Sequence, residues 1–367
     1  MAVGLPLKTT YADGDVYSAS DVNDTNGTIN AYLAPSLGYA AGKNKIINGD
    51  FYINQRGFTS GTTSGTYVAD RWTSDNLGGT TTCSIQTFTP GTAPVTGYEG
   101  KQYLQIVTSG QSGTNYAAVY SRIEDVRTLA NQSATLSFWA KSSSGTPSIV
   151  ATFTQIFGGA EPSIQTNATA KAITTSWVRY TVPITIPSVS GKTIGSSSSL
   201  QVMLVVSDGG GEGTTLGVQN NTFSIWGVQL EAGSTATAFQ TATGTIQGEL
   251  AACQRYFVTL GKTVPAGTGP ANSMIASGGA YSTTVLVFSV PYPVPMRTVP
   301  IMTISNLRVA VGANIYTTGT WVADSTVTDS TCAGVVYTHG SGVFTSGQAA
   351  YTSAASNPGY MYFNAEL

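Results

Sequence analysis

The sequence is poor in ionic side chains. Only 9% of its 367 residues are Asp, Glu, Lys or Arg, against about 25% in ordinary soluble domains. The formal net charge is −2 and no run of Lys or Arg occurs, so the basic surface that attracts nucleic-acid phosphates is missing. We therefore expect no nucleic-acid partner.

Metal ligands and disulfide partners are also scarce. The chain has one histidine, His339, and three cysteines, Cys83, Cys253 and Cys332, which are far apart. An odd number of distant cysteines excludes a simple disulfide framework, and so few His and Cys leave almost no ligands for zinc or iron. We expect reduced thiols, no metal site and no cofactor.

Long apolar runs are missing too. None approaches the roughly 20 residues that span a bilayer, and residues 1–10 lack the cationic start and apolar core of a secretory signal. We expect neither membrane insertion nor export by a signal peptide.

Ser, Thr, Asn and Tyr take the place of charged residues, together with 42 Gly and 15 Pro. Thr, Tyr and Val suit pleated surfaces, so an all-β fold is predicted.

The pattern divides the chain into four parts. Residues 1–44 cannot bury a core of their own and are predicted to be an arm that orders against a partner. From residue 45 to 240, about ten short apolar alternations between Gly, Ser and Thr clusters predict a sandwich or barrel, its first strand near 44–54. Residues 258–367 return to strands and predict a second, smaller β domain.

Residues 241–257 change to a helical period. Four apolar side chains fall on one predicted helical face: Ile246, Leu250, Cys253 and Phe257. This helix is interpreted either as a connector packed on a neighbouring domain or as part of a threefold interface, because its stripe is too narrow for a self-standing bundle.

Catalytic groups are hard to find. A hydrolase needs a nucleophile with a base, or two carboxylates on facing elements. Glu124 and Asp125 are adjacent and are predicted to form structural ion pairs. Asp208 and Glu212 flank a glycine-rich loop that lacks the Gly-Lys-Ser/Thr ending of a phosphate-binding loop, so a solvated turn is predicted. We expect no catalytic residue.

Ligand binding requires fewer specifically placed residues than catalysis does. Asn48 and Asp50 offer oxygen ligands for calcium, but a turn-capping role for Asp50 is preferred. Glycan binding requires an exposed aromatic face and a few polar partners, and the chain has five Trp and 19 Tyr. The candidate glycan contacts in the loop-rich distal domain are Tyr316, Trp321, Asp324 and Tyr337.

One series of motifs spans residues 45 to 240. It resembles the jelly-roll modules of carbohydrate-binding proteins and bacteriophage tail fibres. The series comprises Lys45-Ile-Ile-Asn-Gly-Asp-Phe, Val68-Ala-Asp-Arg-Trp, Leu136-Ser-Phe-Trp-Ala-Lys-Ser, Thr175-Ser-Trp-Val-Arg-Tyr and Ile225-Trp-Gly-Val-Gln-Leu-Glu. The resemblance implies a jelly-roll β-sandwich in this part of the chain.

A second series is similar to the carboxy-terminal regions of phage tail-fibre proteins. It comprises Glu249-Leu-Ala-Ala-Cys-Gln-Arg-Tyr-Phe, Pro291-Tyr-Pro-Val-Pro-Met-Arg-Thr-Val-Pro and Phe363-Asn-Ala-Glu-Leu. Thr10-Tyr-Ala-Asp-Gly-Asp-Val and Ser20-Asp-Val-Asn are similar to the virion-anchoring start of such proteins. The resemblance implies a homotrimer on a virion, attached to tail or adaptor proteins through residues 1–44, with the distal β domain outward.

These observations predict a phage virion structural protein of the tail-fibre type. It would be assembled in the host cytoplasm and would contact a host-surface glycan through its distal domain. A head-decorating or purely structural fibre without receptor binding is one alternative. A polysaccharide-acting enzyme is another, which the missing catalytic dyad disfavours.

Overall fold

A computed structural model describes residues 41–95, 98–261, 274–354 and 359–367. These ranges contain 23 strands and one helix, so the predicted all-β fold is confirmed. The arm predicted over residues 1–44 lies outside them except for residues 41–44. In the described part of the chain, no helix is both long enough and apolar enough to cross a membrane.

The first thirteen strands form a two-sheet sandwich. Their bounds are β1 Ser60–Gly61, β2 Tyr67–Ala69, β3 Trp72–Leu77, β4 Thr80–Thr87, β5 Gln102–Ser109, β6 Tyr116–Glu124, β7 Ser133–Ser142, β8 Ser148–Ile156, β9 Ile164–Asn167, β10 Lys171–Ala172, β11 Val178–Thr185, β12 Ser199–Asp208 and β13 Thr222–Ala232. One sheet has the order β1-β4-β5-β13-β7-β11. The other has the order β10-β8-β12-β6-β3-β2, with β9 also paired to β8.

Alternation along the strands places the core between these sheets. On β7, Leu136 and Phe138 are buried in the main apolar cluster, which also contains Leu200 and Val202 of the opposite sheet. Trp139 points to the other face and joins a separate aromatic cluster. This arrangement of β7 follows the period-two pattern of its sequence. β11, which contains Pro183, lies at a sheet edge, where a residue without an N–H group is tolerated.

The strand predicted near residues 44–54 is wrong. This segment forms turns instead, because Asn48 and Phe51 have left-handed backbones with φ of 59° and 58°. The Asn48 amide Nδ2 donates to Ile53 O at 2.7 Å, which fixes the turn. Gly49 O accepts from Val228 N at 2.8 Å beside a bulge in β13. A Cβ atom on Gly49 would lie 2.1 Å from Val228 O, so only glycine fits there.

The remaining strands build two further sheets. Their bounds are β14 Phe257–Leu260, β15 Met274–Ala280, β16 Val285–Pro291, β17 Ile301–Ser305, β18 Leu307–Val311, β19 Asn314–Tyr316, β20 Thr320–Ala323, β21 Cys332–Thr338, β22 Ala349–Ala354 and β23 Tyr360–Asn364. The sheet orders are β14-β23-β17 and β19-β18-β22-β15-β16-β21-β20. Apolar side chains of both sheets share a second core, which includes Phe288, Val335 and Phe363.

The helix α1 covers Ile246–Gln254, which is shorter than the predicted 241–257. Thr245 caps its start by accepting from Gly248 N at 3.1 Å. Phe257 lies beyond the helix because it pairs with Asn364 in the β14–β23 ladder. Cys253 is buried, whereas Ile246 and Leu250 are 46% and 36% exposed. The four residues predicted to share an apolar face therefore have different surroundings.

A cluster of charged and aromatic residues joins the carboxy-terminal residues to the first sandwich. We call Arg56, Asp70, Arg71, Tyr256 and Glu366 the junction cluster. The buried Arg71 guanidinium contacts the Glu366 carboxylate and lies 3.6 Å from the centre of the Tyr256 ring. Arg56 lies 3.2 Å from Glu366 and 3.7 Å from Asp70. Cations matched to carboxylates in this way fix the two parts of the chain together.

Other carboxylates have structural partners as well. Glu124 accepts from the Arg255 guanidinium at 2.8 and 2.9 Å, and Asp125 pairs with Arg127 at 3.2 Å on the surface. Asp208 accepts from backbone N–H groups of the glycine-rich loop that follows it. Ion-pair roles for Glu124 and Asp125 are thus confirmed. The turn at Asp208 is confirmed as well, but its predicted solvation is wrong, because Asp208 is buried and the loop itself supplies the donors.

Candidate functional site

A cavity of about 460 Å³ lies beside the first sandwich and the start of α1. Parts of three segments line it, residues 50–53, 98–101 and 239–249. Its volume falls within the roughly 300–1,000 Å³ of small-ligand sites. We call it the cleft.

Backbone and side-chain hydrogen bonds hold the segments of the cleft in place. Asn44 Nδ2 donates to Val228 O at 3.2 Å and to Gln240 O at 3.0 Å. Gly42 N donates to Ala242 O at 2.7 Å. The residues that lead into the turn of Asp50 are therefore tied both to the sandwich and to the segment that precedes α1, and Gly49 O in the turn itself accepts from Val228 N.

Aromatic side chains form one wall of the cleft. Tyr52, Tyr98 and Phe239 line it. The Tyr98 ring packs 5.2 Å from Phe239 and 5.5 Å from the buried Trp226, centre to centre. Phe239 lies 4.9 Å from Trp226. Rings in such tilted and edge-to-face contacts support one another, so Tyr98 and Phe239 are firmly placed.

Glu249 closes the bottom of the cleft from α1. One of its oxygens accepts from Asn48 N at 2.8 Å. The other accepts from Thr243 N at 2.7 Å and from the Thr243 hydroxyl at 3.0 Å. Three donors satisfy this buried carboxylate, so Glu249 fastens the two loops and brings a negative charge to the cleft.

Asp50 is the less satisfied carboxylate. Its Oδ2 accepts from the Tyr98 hydroxyl at 3.2 Å and its Oδ1 from Tyr52 N at a long 3.5 Å. Among the described residues no cation forms an ion pair with it. Burial raises the pKa of Asp50, and the negative charge of Glu249 raises it further. A carboxylate offers about four acceptor positions, so Asp50 can still accept from a ligand.

Lys101 stands at the rim of the cleft. Its ammonium donates to the Tyr52 hydroxyl at 3.1 Å and lies 4.6 Å from the centre of the Tyr52 ring. The ring face and hydroxyl of Tyr52 are thus oriented by an exposed cation.

The two buried carboxylates of the cleft differ in how far they are open to a ligand, because both oxygens of Glu249 accept from Asn48 and Thr243. In the described ranges, no group of three or more His, Cys, Asp or Glu could hold a metal ion. An apolar ring beside a carboxylate with spare acceptor positions suits a sugar.

The four glycan contacts predicted from the sequence have other neighbours. Tyr337 is buried and its hydroxyl donates to Thr318 O. Trp321 packs 4.8 Å from Tyr337, and Tyr316 packs 5.1 Å from Phe344. Asp324 accepts from the backbone N–H and hydroxyl of Thr326. The aromatic residues contribute to the distal core, and Asp324 caps a turn.

Comparison with known proteins finds structural neighbours at low identity. The enzymatically active domain of bacteriophage CBA120 tailspike protein 4 is 15% identical with a TM-score of 0.30, covering 52% of this chain and 21% of its own. The CBM22-1 xylan-binding domain of Paenibacillus barcinonensis is 16% identical with a TM-score of 0.28, covering 48% and 94%. A cyclase from Fischerella sp. TAU is 15% identical with a TM-score of 0.34, covering 52% and 97%.

These similarities concern the arrangement of strands and do not identify a ligand for the cleft. The chain spans only 21% of the tailspike domain. No protein-family model matches the sequence, and no curated protein matches it.

Proposed function

We propose that this chain is a phage virion structural protein of the tail-fibre type, and that its cleft holds a sugar unit of a host-surface glycan. The observation that carries the proposal is the pairing of an aromatic wall with Asp50 inside a cavity of about 460 Å³. The proposal moves the glycan contact from the distal domain to the first sandwich.

The chemistry of the cleft supports a sugar. The apolar face of a pyranose stacks on an aromatic ring, while its hydroxyl groups donate to carboxylates. Tyr52 offers a ring that is partly exposed, and Asp50 offers spare acceptor positions beside it. Because Tyr98 and Glu249 are already fixed, little ordering opposes binding.

The motifs support a place on the virion. The stretches that resemble tail-fibre proteins include Asp70 and Arg71 of the first sandwich, Tyr256 after α1 and Glu366 near the final residue. These residues meet in the junction cluster. The resemblance therefore falls on residues that hold the fold together, as expected for a shared architecture with variable ligands.

Assembly as a homotrimer, with attachment through residues 1–44 to other tail proteins, belongs to the same proposal. Ile246 and Leu250 are the exposed members of the predicted interface set, whereas Cys253 and Phe257 are enclosed by the chain itself. Contacts between copies along α1 would thus use the first two side chains.

Glycan binding is tested with the purified full chain and a panel of bacterial surface polysaccharides, using titration calorimetry. Tyr52→Ala should lower the affinity at least several-fold, because an aromatic contact is worth about 0.5–1.5 kcal/mol beyond its area. Tyr281→Ala is the matched control, since Tyr281 is 77% exposed in the other β region. Equal loss in both variants, or no binding by the native chain, would refute the role of the cleft.

The virion role needs a separate experiment. Antibodies against the chain should label phage tails in immunogold micrographs. Light scattering should give the mass of a trimer for the purified protein in solution. The free protein should also reduce phage adsorption to host cells. Labelled virions without competition would indicate a purely structural fibre, and unlabelled virions would refute the tail-fibre assignment.

A further inference from the structure

We infer that the cleft selects a glycan whose sugar carries a protonated amine, of the glucosamine type, over a sugar that carries a carboxylate. This inference rests on the proposed function and adds the charge of the ligand to it. It follows from the distribution of charge and of spare acceptor positions in the cleft.

The charges that face the cleft are mostly negative. Asp50 and Glu249 both line it, and Glu99 stands at its edge, where one oxygen accepts from Gly91 N at 2.7 Å. The one cation among the described lining residues is Lys101, which is directed to Tyr52. The described lining is thus short of positive charge.

Asp50 is the carboxylate that can meet a ligand. In the described part of the chain, its contacts with the Tyr98 hydroxyl and Tyr52 N, at 3.2 and 3.5 Å, are both longer than is usual for a carboxylate with a strong donor. A sugar ammonium has three N–H donors and a positive charge, so it matches both the acceptor capacity of Asp50 and the shortage of positive charge among the described lining residues. The desolvation and repulsion that raise the pKa of Asp50 would be offset by such a group.

The walls require more than a cation. Tyr52 and Ile53 on one side and Phe239 on the other present apolar surface to the same space. A pyranose ring offers an apolar face together with an amine at its edge, whereas a linear polyamine or a lysine side chain offers no ring to fill the cavity. A uronic acid or sialic acid would bring its carboxylate towards Asp50 and Glu249, and like charges in a partly buried site repel strongly.

The test compares three matched oligosaccharides in titration calorimetry with the full chain, at low salt and at a pH where amines are protonated. They are a β-1,4-glucosamine tetramer, the same tetramer with every amine acetylated, and a galacturonic acid tetramer. We expect the free amine to bind at least about tenfold more tightly than the acetylated form, and the galacturonic acid tetramer to show no binding. Raising the salt concentration should reduce the difference in affinity between the free-amine tetramer and the acetylated tetramer.

Two variants separate charge selection from glycan binding. Asp50→Asn should reduce the preference for the amine to within about threefold while the acetylated tetramer still binds. Asp125→Asn is the control, because Asp125 is an exposed residue with a left-handed backbone that asparagine tolerates.

Each result has a distinct meaning. Equal or tighter binding of the acetylated tetramer, or an unchanged preference in Asp50→Asn, would overturn the charge selection and leave a glycan-binding cleft intact. Pentalysine binding as tightly as the glucosamine tetramer would overturn the choice of a sugar. Failure of all three tetramers would overturn the inference, and the proposed function would fall as well if the polysaccharide panel also gave no binding.

Discussion

The junction cluster and the cleft both place carboxylates among aromatic rings, but only one of them supplies cations to match. In the junction cluster, Arg56 and Arg71 face Asp70 and Glu366. In the cleft, Asp50 and Glu249 have no described cation as an ion-pair partner. A matched cluster holds the chain together, whereas an unmatched one retains capacity for an external partner.

The difference extends to how the carboxylates are satisfied. The Glu366 carboxylate contacts both arginines, whose guanidinium groups also lie over tyrosine rings. The donors to Glu249 within the described ranges are all neutral. A carboxylate that is hydrogen-bonded to neutral donors still exerts a negative electrostatic potential in the cavity. A carboxylate that is paired with a cation has most of its potential cancelled.

The largest effect expected from the difference between the junction cluster and the cleft is that of Arg71→Met. Removing one partner of a buried ion pair leaves an uncompensated charge, which costs about 3–5 kcal/mol. Because Arg56 still contacts Glu366, we expect the lower end of that range in the free energy of unfolding, measured in urea. Glycan affinity at the cleft should be unchanged.

The control for this variant is Arg127→Met. The Arg127–Asp125 pair is exposed, with 61% and 47% of the two side chains accessible, and such pairs contribute about 0–1 kcal/mol. A similar effect of both substitutions would contradict the claim that the junction cluster is a matched, stabilising site.

The pH dependence of stability probes Asp70. Burial raises its pKa from 3.8 to about 6, against the lowering effect of Arg56. Between these values the folded chain binds more protons than the unfolded chain, so this group makes stability fall as the pH rises from about 4 to about 6, with no further change above. The full effect is up to about 3 kcal/mol.

Asp70→Asn removes this titration. Unfolding free energies of the native chain and of the variant should diverge between pH 4 and pH 6, with the native chain losing more. If the unfolding free energies of the native chain and the variant changed in parallel with pH, the predicted rise in the pKa of Asp70 would be wrong. Arg56 would then fully offset the effect of burial on this carboxyl.

On the cleft side, Gly49→Ala should destabilise the turn that carries Asp50. The new Cβ would overlap Val228 O, and overpacking of this kind costs about 1–3 kcal/mol. Glycan affinity should fall as well, because Asp50 moves with the turn. Gly159→Ala, at a site with open space around the added atom, should change neither quantity.

Much of the fold was predictable from the sequence because it depends on local periodicity. The alternation on β7 separates Leu136 and Phe138 from Trp139, and the structure places them in different clusters. The turn at Asn48 was not predictable, because its apolar run reads as a strand. The hydrogen bonds of the Asn48 side chain with Ile53 and the contact of Gly49 with the distant Val228 favour the turn over the strand.

The candidate site was harder to predict than the fold. The sequence predicts a turn-capping role for Asp50, but its neighbours Tyr98 and Glu249 come from segments far away in the chain. The helical period places Ile246 and Leu250 on an apolar face, whereas Glu249 is the buried polar residue on α1. A polar residue that interrupts an apolar stripe was the available signal, and its meaning depends on tertiary contacts.

The smallest expected effect distinguishes the cleft from the distal domain as the glycan site. Tyr337→Phe removes the hydroxyl that donates to Thr318 O, which should cost about 0.5–1.5 kcal/mol of unfolding free energy. Glycan affinity should stay the same, because Tyr337 is buried in the distal core. A loss of affinity with unchanged stability would instead return the glycan to the region of Tyr316, Trp321 and Asp324, and the unmatched charge of the cleft would then require another explanation.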